Sequence, residues 1–282
     1  EWSSDVCSSD LHITNMLKVV NVDIKRKVFK EILDNFGGEL RYIVSAAAPI
    51  DEKIGKWIDD LGIKFLQGYG LTETAPISAL TPEYEIPRYA STGKAVKDTE
   101  IIVLNPNEDG EGELLIKGPT VMLGYYEDDE ETEKVMQDGY FCSGDIGKID
   151  EDGYIYITGR SKNVIVTQNG KNIYPEEIEL LLSDIPEISE VMVYGKEDEN
   201  KNDKELIISA KIIPNYEKIT ELYGNDLSEN KIHEILWEKV KDVNKKLTSY
   251  KAIKNIEIKK DEFEKTTTMK IKRYAEIQKD KK

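Results

Sequence analysis

The 282 residues carry 55 acidic against 39 basic side chains, a formal net charge of −16, and 39% of them are apolar. That acidity excludes the net basic face a nucleic-acid footprint needs, and no apolar run is long enough to cross a bilayer. Two cysteines and two histidines exclude a disulfide framework, and they supply no thiol–imidazole dyad or His/Cys metal site.

The length suits one large domain or two ordinary ones. The N-terminus lacks the basic segment and apolar stretch of a signal peptide, so a cytoplasmic location is expected. Residues 1–11 resemble the conceptual translation of a sequencing adapter; the alternative is an ordinary Ser/Asp-rich disordered tail. On the adapter reading Cys7 is not a natural residue and the native protein continues upstream of Leu11.

Between Asp23 and Phe36 the residues Ile24, Val28, Ile32 and Phe36 recur every four positions, which predicts an amphipathic helix ended by Gly37-Gly38. Leu40–Val44 then reads as a strand. Asp51 is placed to cap a helix with Ile54, Trp57, Ile58 and Leu61 on one face. A second strand, Ile63–Leu66, follows, so the segment reads as a βαβ unit, whose ligands bind beyond the carboxyl ends of the strands. Two short stretches sit at such ends, Ser45–Pro49 and Gly68–Thr74. The small residues Ala46, Ala47 and Ala48 would let a planar ring lie against the backbone, although simple close packing explains them nearly as well. Gln67, Gly68, Tyr69, Gly70, Leu71, Thr72, Glu73 and Thr74 combine two glycines, a ring, two hydroxyls and a carboxylate. Those groups suit close approach to phosphate, stacking on a base and a hydrated magnesium ion, while the octet alone also reads as a glycine-rich turn.

From Tyr89 to Ile157 short β-rich runs alternate with turn residues, which predicts a small antiparallel sheet or barrel. Asp145 follows Gly144 there and suits the two hydroxyls of a ribose; an Asx turn is the plainer reading. Gly159 to Asn163 reads as a linker. A compact α+β domain is expected after it: a strand at Val164–Thr167, a turn at Asn169-Gly170, and a helix opened by Pro175-Glu176-Glu177. Further strands are expected at Glu190–Tyr194, Leu206–Ile213 and Ile256–Ile258. A long helix is predicted by Ile232, Ile235, Leu236, Val240, Val243 and Leu247. His233 and Trp237 read as helix-surface and packing residues, and the basic run at the C-terminus as a solvated tail.

Taken in order, Gly68–Glu73, Gly144-Asp145, Gly159-Arg160, Asn169–Glu179 and Lys265–Arg273 resemble the adenylate-forming superfamily of acyl-CoA synthetases, peptide-synthetase adenylation domains and luciferases. Within it the pattern is most similar to bacterial long-chain fatty-acid–CoA ligases. The resemblance covers everything after Leu11. It implies the end of a large N-terminal domain up to residue 160, a βαβ sheet plus a small β-barrel, and then a small mobile α+β domain over residues 161–282. It also implies roles. Ala47, Ala48 and Pro49 line the adenine pocket, Tyr69 stacks on the base, Thr72 bonds ATP phosphate, and Glu73 holds Mg2+. Asp145 takes the ribose hydroxyls and Arg160 reaches ribose or phosphate. Lys162 is the hinge, Gly170 lies beside the CoA channel, and Lys270 is the catalytic lysine.

The implied substrates are a fatty acid, ATP and CoA, with peripheral membrane contact left open because no strongly basic amphipathic face is present. Alternatives are an aryl-CoA or acyl-carrier-protein ligase, or a non-catalytic nucleotide- or partner-binding fragment. The sequence departs from the family pattern at Ala46 and Ala47, where glycines are usual, and at Glu264 and Met269. No Gly/Ser/Thr-rich phosphate loop precedes residue 67, so the chain alone is expected to be inactive.

Overall fold

The computed structural model describes residues 24–48, 50–167, 170–197, 206–267 and 270–278. Residues 1–11, Pro49, Asn169 and Met269 lie outside these. The chain divides into two compact units, Glu1–Ile157 and Thr158–Lys282.

In the first unit the predicted opening helix forms as two short pieces, α1 (Lys25–Val28) and α2 (Lys30–Asp34), broken at Phe29. The four-residue period is right but its phase is not: Lys25, Phe29 and Leu33 are buried, while Val28 and Phe36 are exposed. Side-chain anchors set the phase. Lys25 Nζ reaches Asp60 Oδ1 at 3.2 Å, and Arg26 donates to the carbonyls of Leu40 and Gly38 at 2.8 and 2.7 Å. The aliphatic stem of Lys25 is thereby laid into the interior.

Strands β1 (Tyr42–Ser45) and β2 (Lys64–Tyr69) pair in parallel across the helix α3 (Glu52–Asp60), as the βαβ reading requires. Asp51 caps α3, accepting from the Lys53 N–H at 2.7 Å. The expected inward face holds at Leu61, which is buried, and is corrected at Ile54 and Trp57, which are exposed; the buried position within α3 itself is Gly55. A Cβ at Gly55 would stand 2.7 Å from the Phe65 ring, so α3 lies directly on β2 at its glycine, and Ile54 and Trp57 turn outward. Strands β3 (Ala79–Leu80) and β4 (Lys94–Ala95) complete the sheet in the order β1-β2-β3-β4. Tyr42 and Val44 on the edge strand β1 are about half exposed.

A second sheet holds β5 (Glu100–Leu104), β6 (Gly112–Lys117), β7 (Met136–Gln137), β8 (Tyr140–Ile149) and β9 (Ile155–Arg160). It runs β5-β6-β8-β7 with β9 on β8, a half-barrel. Helix α4 (Asp129–Val135) was not anticipated. It buries no residue and so has no apolar stripe to read, only the Asp128 cap and acids in its first turn. An apolar cluster joins the two sheets: Tyr69 and Ala79 from one, Ile101, Leu114, Ile116 and Ile155 from the other.

The second unit has a hairpin, β10 (Ile165–Val166) with β11 (Asn172–Ile173), then α5 (Pro175–Ser183), opened by its proline as expected. Its sheet is β12 (Ile188–Glu197), β13 (Leu206–Pro214) and β14 (Asn255–Ile258), β13 antiparallel to β12 and parallel to β14. Helix α6 (Tyr216–Tyr223), which the sequence did not suggest, is capped by Asn215. Helix α7 (Glu229–Asn244) buries Ile232, Leu236, Val240 and Val243 of the predicted stripe.

The segment expected as a solvated tail is instead built into the unit. Lys265 and Ile271 pair in an antiparallel bridge that closes a small hairpin, and helix α8 (Arg273–Gln278) follows with Glu276 1% exposed. Arg273 fastens it, donating to the Val193 carbonyl at 2.9 Å and ion-pairing with Glu179, which also accepts the Val193 N–H at 2.6 Å. Burial pushes the Glu179 carboxyl up, against the pull of Arg273. Among the described residues no helix is long and apolar enough to cross a membrane. Arg273→Ala leaves Glu179 largely buried without its counter-ion and should lower the stability of the second unit by about 3 kcal/mol, read as the denaturant midpoint of its transition. A change under about 0.5 kcal/mol would mean the pair is solvated in practice.

Candidate active site

The octet is not a free turn. Gln67, Gly68 and Tyr69 finish strand β2, and only Thr72–Thr74 form a turn, a single 3-10 turn closed by Ala75 in the left-handed region. Gln67 is spent on structure: its N–H donates to Thr81 Oγ1 and its side-chain amide to the Tyr89 carbonyl, both at 2.9 Å. Gly70 is required by the chain itself, since a Cβ there would lie 2.0 Å from the Pro76 carbonyl oxygen. Its role is close backbone packing, which the sequence had read as close approach to a phosphate. The two threonines divide their work. Thr74 is fully buried, accepting from the Leu71 N–H at 2.9 Å and donating to the Leu71 carbonyl at 3.1 Å. Thr72 is exposed.

Parallel pairing sets Ser45 opposite Gln67, so residues 46–48 emerge beside Gly68; the Ala46 Cβ is 3.8 Å from where a Gly68 Cβ would be. Ala46, Ala47 and Ala48 are exposed, and Ala47 has φ +72, a conformation glycine adopts freely and alanine does not. The departure from the family's glycine is thus a strained position.

Tyr69 and Asp145 meet. The phenol donates to Asp145 Oδ2 at 2.8 Å, and both residues are buried, at 8% and 3% exposed. Asp145 is not at an Asx turn before a strand but inside β8. There a bulge inserts extra residues opposite Leu114, between the Glu113↔Ile146 and Leu115↔Cys142 pairs. Ser143 holds the bulge, its Oγ donating to the Leu114 carbonyl at 2.6 Å and accepting the Asp145 N–H at 3.0 Å.

Glu73 is half-buried. Its Oε1 accepts the Tyr125 hydroxyl at 3.0 Å, and its carbonyl accepts the Met122 N–H at 2.8 Å. Its Oε2 has no hydrogen bond to a described residue. Burial, then Glu73, pushes the Tyr125 phenol up, so it stays a donor. Among the described residues no group of three or more His, Cys, Asp or Glu could cage a metal ion. One carboxylate with a spare oxygen next to an exposed hydroxyl does fit Mg2+, which keeps its waters and shares phosphate oxygens. Tyr125 and Ser143 were missed in the sequence. Ser143 had a signal, its adjacency to Gly144-Asp145, whereas Tyr125 had none. Cys142 is a free thiol pushed up by burial, a poor nucleophile.

The remaining candidates belong to the second unit. Arg160 ends β9, and Lys162 is exposed in the 3-10 turn Ser161–Asn163. Gly170, exposed with φ +71, closes the β10–β11 turn, donating to the Thr167 carbonyl at 2.9 Å. Lys270 stands on the 265–271 hairpin, where its carbonyl accepts the Thr266 N–H at 2.8 Å. Its neighbours are neutralised, Lys265 by Glu190 at 2.7 Å and Lys272 by Glu264 at 2.8 Å. Lys270 itself is exposed and has no ion pair with a described residue.

A half-barrel packed on a mixed sheet that contains a parallel βαβ pair, followed by a small α+β unit, defines the adenylate-forming class. Residues 12–126 match the model of the AMP-binding enzyme family, and residues 162–280 that of the AMP-binding enzyme C-terminal domain. The chain belongs to this family of AMP-binding, adenylate-forming enzymes.

It is 33% identical over 180 residues to the long-chain-fatty-acid–CoA ligase FadD15 of Mycobacterium bovis, covering 64% of this chain and 29% of that one. It is 35% identical over 183 residues to the indoleacetate–CoA ligase of Aromatoleum aromaticum, covering 62% and 35%. Among solved structures it is similar to the O-succinylbenzoate coenzyme A synthetase MenE of Bacillus subtilis in complex with AMP. That likeness has a TM-score of 0.68 at 25% identity and covers 88% of this chain and 49% of the other. The chain therefore spans about a third of the length of the curated relatives it matches.

Tyr69→Phe removes a donor from a buried carboxylate and should cost about 1.5–3 kcal/mol, measured as a shift of the urea midpoint of the first unit. An unchanged midpoint would show that the bond contributes nothing to holding the sheets together.

Proposed function

We propose that these residues carry part of the active site of an ATP-dependent long-chain fatty-acid–CoA ligase. The observation that carries the reading is the Thr72–Glu73 turn: a carboxylate held on one oxygen by Tyr125, with its other oxygen available, beside an exposed hydroxyl. In this reading Thr72 bonds ATP phosphate, Tyr69 and Asp145 serve base and ribose, and residues 46–49 border the base. Arg160 acts from the last residue of the large domain, and Lys162 and Gly170 from a small domain beginning at residue 161. Mg2+, when bound, neutralises phosphate charge, and Glu73 Oε2 is the oxygen that would hold it.

A carboxylate is a poor electrophile because its charge repels nucleophiles and its oxygen leaves badly. Attack of the carboxylate on the α-phosphorus of ATP gives an acyl-adenylate and releases pyrophosphate. Negative charge grows on the phosphoryl oxygens in that step, so a fixed cation lowers the barrier, and Lys270 is the side chain to supply it. The CoA thiol, with a pKa of about 8.5, then attacks the acyl carbon and AMP leaves; this step needs no side-chain nucleophile, in accord with the inert Cys142. Hinge motion at Lys162 would exchange Lys270 for the Gly170 turn between the two steps.

The FadD15 relative supports a fatty acid as substrate. The indoleacetate and 2-succinylbenzoate ligases among the relatives support an aromatic acid as the second reading. A cytoplasmic location goes with either, with membrane contact where the acid is a long lipid. The discriminating experiment is pyrophosphate exchange, on the longest native chain containing these residues, with fatty and aromatic acids in parallel.

Lys270→Ala should slow adenylate formation by about a hundred- to a thousand-fold and spare thioester formation from preformed acyl-adenylate. Equal loss in both half-reactions would sink the assignment. Lys162→Pro should hold the small domain in one pose and reduce overall turnover while leaving at least one isolated half-reaction intact; full turnover would remove the hinge from that position.

A further inference from the structure

Glu276 is 1% exposed, yet neither the apolar core nor the proposed chemistry accounts for it. Its Oε1 accepts the N–H of Glu264 at 3.0 Å, and its Oε2 lies 3.6 Å from Lys259 Nζ. Its carbonyl accepts from the ammonium of Lys211 at 2.9 Å, and Lys211 is itself 5% exposed. Glu264 is the residue at which the Lys270 hairpin opens: its carbonyl accepts the Lys272 N–H at 2.8 Å, its carboxylate pairs with Lys272, and the Lys265–Ile271 bridge comes next. Helix α8, which carries Glu276, begins at Arg273, immediately after the hairpin closes. One buried carboxylate therefore ties the first residue of the hairpin to the helix that follows its last. Phe263 and Ile271 pack beneath it with Met192 and Tyr194 of β12.

We infer that Glu276 is a positioning residue for Lys270, fixing the hairpin that presents the ammonium. It touches no reacting atom and acts only through the backbone it holds. This rests on the proposed role of Lys270. The physical case is that an exposed lysine on a short hairpin has no rigidity of its own. A charged acceptor on a backbone N–H in a nearly dry site is among the stronger hydrogen bonds available, and misplacing a catalytic group by about 1 Å costs about a hundred-fold in rate. Nothing in the residue pattern signals it, because a single Glu in Arg273–Gln278 reads as part of a mixed-charge tail.

The test compares Glu276→Ala, Glu276→Gln and Lys270→Ala in the longest native chain, measuring the two half-reactions separately. Glu276→Ala should slow adenylate formation about ten- to a hundred-fold and change thioester formation from preformed acyl-adenylate less than about three-fold. Glu276→Gln keeps an acceptor for the Glu264 N–H and should recover most of the loss. Hydrogen exchange supplies the readout independent of rate: the amides of Glu264, Thr266 and Lys270 should exchange faster in Glu276→Ala, with those of β12 and β13 unchanged.

Equal slowing of both half-reactions, or loss of protection across β12 and β13 as well, would make Glu276 a general structural residue and overturn the inference. Normal adenylation in Glu276→Ala, with Lys270→Ala inactive, would overturn it while leaving the role of Lys270 standing. Normal adenylation in Lys270→Ala would overturn both.

Discussion

The hydrogen bond from Tyr69 to Asp145 is the point on which the first unit turns. It links the end of a parallel strand to a bulge in an antiparallel half-barrel, two structures that share no backbone ladder. A buried carboxylate must be paired or hydrogen-bonded to stay where it is, and the phenol and the Ser143 bulge help to hold Asp145 in the interior. The apolar cluster around Tyr69 supplies burial, which has no direction; the hydrogen bond supplies registration between the sheets. From there the chain goes straight into Gly70, where it passes too close to Pro76 for any side chain, and then into the turn that presents Thr72 and Glu73. The geometry of the exposed groups is inherited from the buried ones.

That dependence explains which parts of the fold were legible in the sequence. Where an element buries one face with side chains, its period revealed it, as in α7 and the β12–β13 pair. Where an element is held by something other than apolar burial, the pattern misled. In α1 and α2 the anchors of Lys25 and Arg26 turned the helix by one residue. In α3 the inward face is a glycine, so Ile54 and Trp57 stood out in the sequence and lie on the surface in the fold. Helix α8 is docked through Arg273 and Glu276, charged residues that read as solvated until their partners on distant strands are known.

The candidate site was legible in a similar sense. The order of its motifs singled out Tyr69, Thr72, Glu73, Asp145 and Lys270 as candidates without showing which of them are structural. The structure separates them. Tyr69 and Gly70 are shaped by packing, Thr74 by turn closure, and Thr72 and Lys270 are exposed with no described partner for the ammonium. The supporting residues were invisible for a physical reason. Tyr125 is 52 positions from Glu73 and Glu276 is 12 from Glu264, and a hydrogen bond across the fold leaves no periodicity in the sequence.

The same separation resolves an apparent conflict between a chain of net charge −16 and the anionic substrates of the proposed reaction. At physiological salt a charge is screened within about 8 Å, so the total matters less than the few groups near a phosphate. In the Lys270 segment two of three ammonium groups are cancelled locally, Lys265 by Glu190 and Lys272 by Glu264. The acids there do more than add negative charge: they neutralise the cations whose task is to hold the hairpin. The charge that is left stands at one position, Lys270. A uniformly basic segment would attract phosphate more strongly at a distance but would give it several places to rest. Stabilising a transition state calls for one fixed charge aimed where negative charge develops.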